Sequence, residues 1–350
     1  MHRESDLPDP LGIEAVKPPS WIRRVVAVLL VGAVISAAML VPIPIFYAYV
    51  PGPVRDVEKL VEVSGAEIYS SEGSLFMTTV SLDIHVTLVD WAGALFDPTT
   101  DIVMKEAVTG GRPFSEVEKQ QIEEMRMSKA AAEEVAFSAL GLGSPTGDGA
   151  RIQEVAPETP AAEVLRKGDV ILKVDGQDVS TTCDVGRRIK SKEPGERVEV
   201  TVRRNGSVKT VTVGTIPNPQ DPDVALIGIF MADVNREFDP GVDVEFKTGD
   251  VAGPSAGLML SLALYDRLTP DDVTGGRSIA GTGTIACDGA IGAIGGIEQK
   301  VAGAESEGAE IFLSPAANYE AATAAADDIE VVKVSTFSEA LRFLEGLEQG

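Results

Sequence analysis

Between Val25 and Tyr49 the chain runs for 25 residues without a charge. As a helix such a run extends about 37 Å and more than crosses a hydrocarbon core. Lys17, Arg23 and Arg24 precede it, and Tyr47 and Tyr49 close it. That basic flank leaves the N-terminus in the cytoplasm and the rest of the chain outside. Pro42 and Pro44 are placed to break or kink the far end. A cleaved signal peptide is the alternative, but the run is long for one and lacks a small-residue cleavage pattern. Residues 1–24 thus read as a cytoplasmic tail, 25–49 as a transmembrane helix, and 50–70, with Pro51-Gly52-Pro53 near their start, as a stiff linker.

Past the linker the periodicities change. Phe76 to Val89 is rich in β-branched and apolar residues, which predicts paired strands with His85 as a strand residue. Glu116 to Leu140 carries an apolar face of Met125, Ala132, Val135 and Leu140 with a stop at Gly141, a helix. Val170, Leu172 and Val174 alternate as a half-buried strand ending at Asp175-Gly176. Val198, Val200 and Val202 lead into a hairpin at Asn205-Gly206. Ala256 to Leu268 is apolar on nearly every side until Asp266 and Arg267, the pattern of a buried helix. A further helix carries Ile297, Val301 and Ala304 as a stripe, and Phe337 to Leu347 closes the chain with Ser335 or Thr336 as its cap. Strands and helices so mixed make an α+β protein.

Composition narrows the function. With 350 residues there is room for about two domains. A net charge of -24 argues against nucleic acid as a partner, because phosphate binding needs clustered lysine and arginine. No Gly-x-x-x-x-Gly-Lys-Ser/Thr phosphate loop occurs. Cys183 and Cys287 lack metal-ligand spacing and read as free, buried thiols that leave the redox compartment open. Neither a metal nor a cofactor is expected.

The sharpest chemistry lies in Gly253-Pro254-Ser255-Ala256-Gly257. Gly-x-Ser-x-Gly also fits the nucleophile elbow of α/β-hydrolases, so the motif alone leaves two enzyme classes open. A hydrolase triad needs a histidine after the serine, yet His2 and His85 both precede it. The base that remains is Lys300, in Gly295-Gly296-Ile297-Glu298-Gln299-Lys300, next to the apolar stripe of its helix. Burial there would lower the lysine pKa and supply a free amine. Ser255 stands at a helix N-terminus, whose backbone N–H groups can hold an oxyanion. Pro254 suits that start, and Gly253 lets backbone approach a substrate. The bland alternative makes Ser255 an N-cap and Lys300 a snorkelling surface lysine.

The wider pattern resembles a known family. Residues 249–313 carry in order the serine motif, Thr-Gly-x-Ile, Gly-x-Ile-Gly-Gly-Ile and the lysine. This series resembles the proteolytic domain of the Lon family, most closely its membrane-anchored, PDZ-containing bacterial members. The resemblance implies Ser255 as nucleophile, Lys300 as base and Thr282 as the lysine's hydrogen-bonding support. Met125 to Ser128 resembles the helix that precedes the serine motif there. Many Lon enzymes have an acidic residue three positions before the serine, where this chain has Ala252, so a shared carboxylate gate is not implied.

Segments 149–155, 159–162 and 168–176 resemble a bacterial PDZ domain, which binds extended peptides at a sheet edge. Leu140-Gly141-Leu142-Gly143 serves equally as its carboxylate loop or as the stop of the preceding helix. The expected order is a first protease segment at 71–143, an inserted PDZ domain at 144–216 and the catalytic part at 224–350. These resemblances imply an ATP-independent, membrane-anchored serine endopeptidase that cleaves unfolded or tail-tagged extracytoplasmic proteins. They also imply a homo-oligomer, with a hexamer as one form. The rival is a PDZ-based binding or scaffold protein with an inert protease fold.

Overall fold

The structure, a computed structural model, describes residues 19–219 and 221–347. His2 and Lys17 lie outside the described residues. The N-terminal helix spans Ser20–Met39 and buries no residue. At 20 residues it is about 30 Å long, long and apolar enough to cross a membrane.

The uncharged run does not stay helical to Tyr49. Pro42 and Pro44 withhold two helix donors, and the aromatic, β-prone segment behind them forms strand Phe46–Pro51. That strand is the centre of a three-stranded antiparallel sheet, between Val80–Asp83 and Asp101–Met104. Tyr47 and Ala48 are buried in it. The expected linker is likewise structure. Arg55–Asp56 pairs with Ser74–Met77, Val61–Ser64 pairs with Asp243–Phe246, and Val57 and Val61 enter the main core. The Phe76 to Val89 region holds two strands, but they do not pair with each other: Ser74–Met77 joins the central sheet and Val80–Asp83 the small one. His85 is exposed in the connection after them, not in a strand.

The central sheet runs in the order Arg55–Asp56, Ser74–Met77, Ser278–Gly281, Ile311–Pro315, Glu330–Val334, parallel except at the first strand. Side chains alternate across it with the period of two that a strand imposes. Leu75, Met77, Ile279, Ile311 and Leu313 join one core, with helices Phe114–Ala139, Gly257–Arg267 and Phe337–Leu347. Phe76, Ala280 and Phe312 turn to the other face, under helices Ile297–Glu307 and Tyr319–Ala325. The helix Gly257–Arg267 is buried from Gly257 through Leu264. It ends where Asp266 accepts from the Ser71 hydroxyl and the Val273 amide. Thr336 is the residue that caps the last helix, its hydroxyl accepting from Glu339 N at 3.2 Å.

A second core lies in a separate sheet, ordered Ser207–Gly214, Arg197–Arg204, Val170–Val174, Ala150–Val155, Ile229–Asp233. Arg204 pairs with Ser207 across the expected Asn205-Gly206 turn, where Asn205 adopts a φ of 48°. Its last strand comes from residues assigned above to the returning protease domain. Ile229–Asp233 pairs with Ala150–Val155, and the Asp233 carboxylate accepts from Thr182 N at 2.6 Å. Ala225 and Ile227 are buried in this second core. The inserted unit therefore runs to about residue 233, because its sheet is completed from beyond the hairpin.

The cysteines are not free. Cys183, in the first turn of helix Thr182–Lys190, forms a disulfide with Cys287, in the turn after strand Thr284–Ile285. The bond joins the two cores across 104 positions, which no local pattern reveals. An ion pair, Lys190 to Asp288 at 3.3 Å, lies beside it.

Candidate active site

The serine loop is fixed from three sides. Gly253 has a φ of 87°, a left-handed value that favours glycine, and its N–H donates to Gln121 O at 3.0 Å. The Ser128 hydroxyl donates to Pro254 O at 2.9 Å, so the Met-x-x-Ser helix does support the serine motif. Pro254–Ala256 is a 3-10 turn that leads into helix Gly257–Arg267. Ser255 thus lies inside a turn and caps no helix through its side chain. A Cβ on Gly257 would stand 2.6 Å from both Ile285 Cγ2 and Ser128 Oγ, so only glycine fits there.

Behind the serine runs a short hydrogen-bonded chain. Lys300 Nζ donates to Thr282 Oγ1 at 3.1 Å, and Thr282 Oγ1 donates to Ser255 O at 3.1 Å. The Gly283 amide donates to the same carbonyl at 2.8 Å. Thr282 is 1% exposed and Lys300 3%, which removes the snorkelling reading. Helix Ile297–Glu307 presents Lys300 inward together with Ile297, Val301 and Ala304. Burial pushes the Lys300 ammonium down from 10.5 to about 8, with desolvation as the cause. The sole hydrogen bond of that amine among the described residues goes to a neutral hydroxyl. A cationic lysine held by a carboxylate would be driven the other way.

Ser255 and Lys300 both line a cleft of about 650 Å³. Its walls include Val80 and Leu82 from the small sheet, Phe114 and Val117 from the long helix, and Ile294 before the lysine helix. Gly296, at a φ of 66°, opens that helix, and a Cβ there would meet Val80 Cγ2 at 2.6 Å. The cleft thus combines apolar side chains with a serine hydroxyl and a lysine amine in its lining, a composition that suits an extended peptide. Arg55 and Asp250 also reach it. Sequence reading passed over both, Arg55 because it lay in a stretch taken for linker.

One helix-terminal expectation changes. The Gly257 amide donates to Pro254 O and the Leu258 amide to Gly283 O. These two donors are committed to the fold.

A second cavity, of about 230 Å³, lies at the disulfide. Glu134 stands there with its carboxylate close to both sulfurs. The sulfurs are bonded to each other, so this group holds no metal in this state. The Leu140 to Gly143 segment is the stop of the long helix: Gly141 has a φ of 71° and Leu142 N donates to Phe137 O at 2.9 Å.

Comparison with known proteins matches both halves. The family model of the PDZ domain fits residues 124–215, and that of the Lon protease (S16) C-terminal proteolytic domain fits residues 238–344. The chain carries a PDZ domain and a Lon-type proteolytic domain. The PDZ match begins inside the long helix, which packs in the protease core, and stops before the strand Ile229–Asp233 that completes the PDZ sheet. A probable periplasmic serine endoprotease DegP-like of Halomonas elongata is 41% identical over 97 residues, 27% of this chain and 20% of that protein. Lon protease 2 of Bacillus subtilis is 31% identical over 109 residues, 31% of this chain and 18% of its own length. The chain spans about a fifth of the length of each. A crystal structure of the PDZ domain of an SdrC-like protein from Listeria monocytogenes aligns at 25% identity, over 25% of this chain and 90% of that one, with a TM-score of 0.23.

Proposed function

We propose that this chain is a membrane-anchored serine endopeptidase in which Ser255 is the nucleophile and Lys300 its base. The observation that carries the reading is the buried amine, pushed down to about 8 and bonded through Thr282 to the carbonyl of the serine itself. Ser255 Oγ attacks a peptide carbonyl while its proton passes to the neutral Lys300 amine. The tetrahedral intermediate collapses, the C–N bond breaks, and Lys300 returns the proton to the leaving amine. Lys300 then takes a proton from the water that attacks the acyl-serine ester and gives it to Ser255 Oγ as the ester C–O bond breaks, which restores the hydroxyl and the neutral amine. Thr282 is a positioning residue that aims the amine. With the Gly257 and Leu258 amides committed, the oxyanion falls to the turn that carries Ser255.

In this reading hydrolysis proceeds without ATP. Substrates are therefore unfolded or extended. The PDZ domain captures their tails at strand Ile229–Asp233, the edge of its sheet among the described residues, beside helix Thr182–Lys190. The helix Ser20–Met39 anchors the chain, with Arg23 and Arg24 on the cytoplasmic side. The disulfide suits an oxidising compartment and supports an extracytoplasmic site. Assembly into a homo-oligomer, with a hexamer as one form, belongs to this reading through the family resemblance. Hydrolysis of an unfolded casein tests the reading. The native chain should cleave it without nucleotide, and Ser255→Ala and Lys300→Met should each be inactive. Activity in either variant would remove the dyad, and an inactive native chain would favour a binding role.

A further inference from the structure

Helix Leu88–Ala94 is an anomaly of folding. It has seven residues, too few to be stable alone, yet none of them is buried against the rest of the chain. Its sequence is apolar all the same: from Ile84 to Phe96 the one carboxylate is Asp90. That carboxylate accepts from Thr87 N at 2.9 Å and from Thr87 Oγ1 at 2.7 Å, closing a capping box. Leu88, Trp91 and Leu95 follow at spacings that share a face, and Phe96 beyond them is 90% exposed. A helix of this kind is built to be covered.

Its place in the fold says by what. The Ile43 amide donates to Val86 O at 2.7 Å. Ile43 is four residues beyond the end of the apolar helix at Met39, a reach of at most about 14 Å. The three strands of the small sheet also end here. Phe46 pairs with Met104 and Ala48 with Asp83, so Ile45, Ile84 and Met104 cluster at the end of the sheet nearest the anchor. All three are exposed. Lys105, whose amide donates to Ile45 O at 2.9 Å, adds a cation at the same level.

We propose that this end of the small sheet and the Leu88–Ala94 helix rest on the bilayer surface, with Trp91, Leu95 and Phe96 seated among the lipid headgroups. Aromatic side chains favour that zone, and a short amphipathic element gains there the burial that the protein does not give it. Because Val80 and Leu82 of the same sheet line the cleft, the docking holds the cleft opening close to the membrane. The inference rests on the anchor reading above, and the test separates the two.

The chain has two tryptophans, Trp21 in the anchor helix and Trp91 in the patch. The full chain is reconstituted in vesicles of phosphatidylcholine brominated at shallow acyl positions, as Trp21→Phe and, separately, as Trp91→Phe. Each variant leaves one reporter. Trp91 emission should fall at least about twofold against unbrominated vesicles, and Trp91 should be shielded from acrylamide. Quenching of Trp21 with none of Trp91 would overturn the docking and leave the anchor standing. Shielding of Trp91 from acrylamide without lipid quenching would assign the patch to another protein surface and equally overturn it. Failure of both reporters to quench would remove the anchor and the docking together.

Discussion

Two short apolar helices occupy opposite environments in this molecule. Gly257–Arg267 is buried along nearly its whole length, whereas Leu88–Ala94 buries nothing against its own chain. Their leucines are alike; their neighbours are not. Leu258, Leu260, Leu262 and Leu264 meet the sheet strands, the long helix and the last helix. Leu88 and Trp91 meet no core cluster. Hydropathy therefore says that a surface must leave water and leaves its destination to the fold. A third region, the seam between the PDZ and proteolytic domains, is secured by a covalent bond.

The largest expected effect separates the two helices directly. Leu260→Ala should cost about 4 kcal/mol in urea unfolding in detergent, because it leaves a cavity in a closed core. Leu95→Ala should stay within about 0.5 kcal/mol in the same assay. Equal losses would mean that the outer helix packs against the chain after all.

At the seam, replacing both Cys183 and Cys287 by alanine should cost about 3 kcal/mol and let the PDZ domain unfold apart from the proteolytic domain. Calorimetry would then show two transitions; one unchanged transition would make the bond incidental.

A smaller effect of opposite sign belongs to Lys300. Its pKa is lower folded than unfolded, so folding works against the charged amine at neutral pH. The penalty is full below about pH 8 and fades as pH rises to the unfolded value of 10.5. Lys300→Met should thus raise stability by about 2 kcal/mol at pH 7 and by little at pH 10.5, while cutting hydrolysis by about 10³-fold or more. Destabilisation at pH 7 would contradict a desolvated amine bonded only to a neutral hydroxyl among the described residues.

Much of the catalytic half was legible in the sequence. The long helix was expected at 116–140 and is found at Phe114–Ala139, because its apolar face and glycine stop are local signals. The helix that follows the Ser255 turn and the helix that carries Lys300 were read from the same kind of pattern. What escaped was non-local. Pro42 and Pro44 mark where the apolar helix can break, but hydropathy gives no sign that strand Phe46–Pro51 follows, since both are apolar. Strand Ile229–Asp233 completes a sheet begun at residue 150, and its partner lies far back along the chain. The disulfide joins two domains whose relative placement no periodicity encodes. The link from Lys300 to Thr282 was implied by family resemblance and by no spacing rule.

Whether a neutral lysine activates Ser255 is read from the pH dependence of kcat/KM on an unfolded substrate. Only the free amine can accept the serine proton, so the rate should rise with pH through a single ionisation near the Lys300 value of about 8 and then level off. Lys300→Arg should be inactive at every pH, because a guanidinium stays charged. A profile flat from pH 6 to 10, or activity retained in Lys300→Arg, would rule out the neutral Lys300 amine as the base.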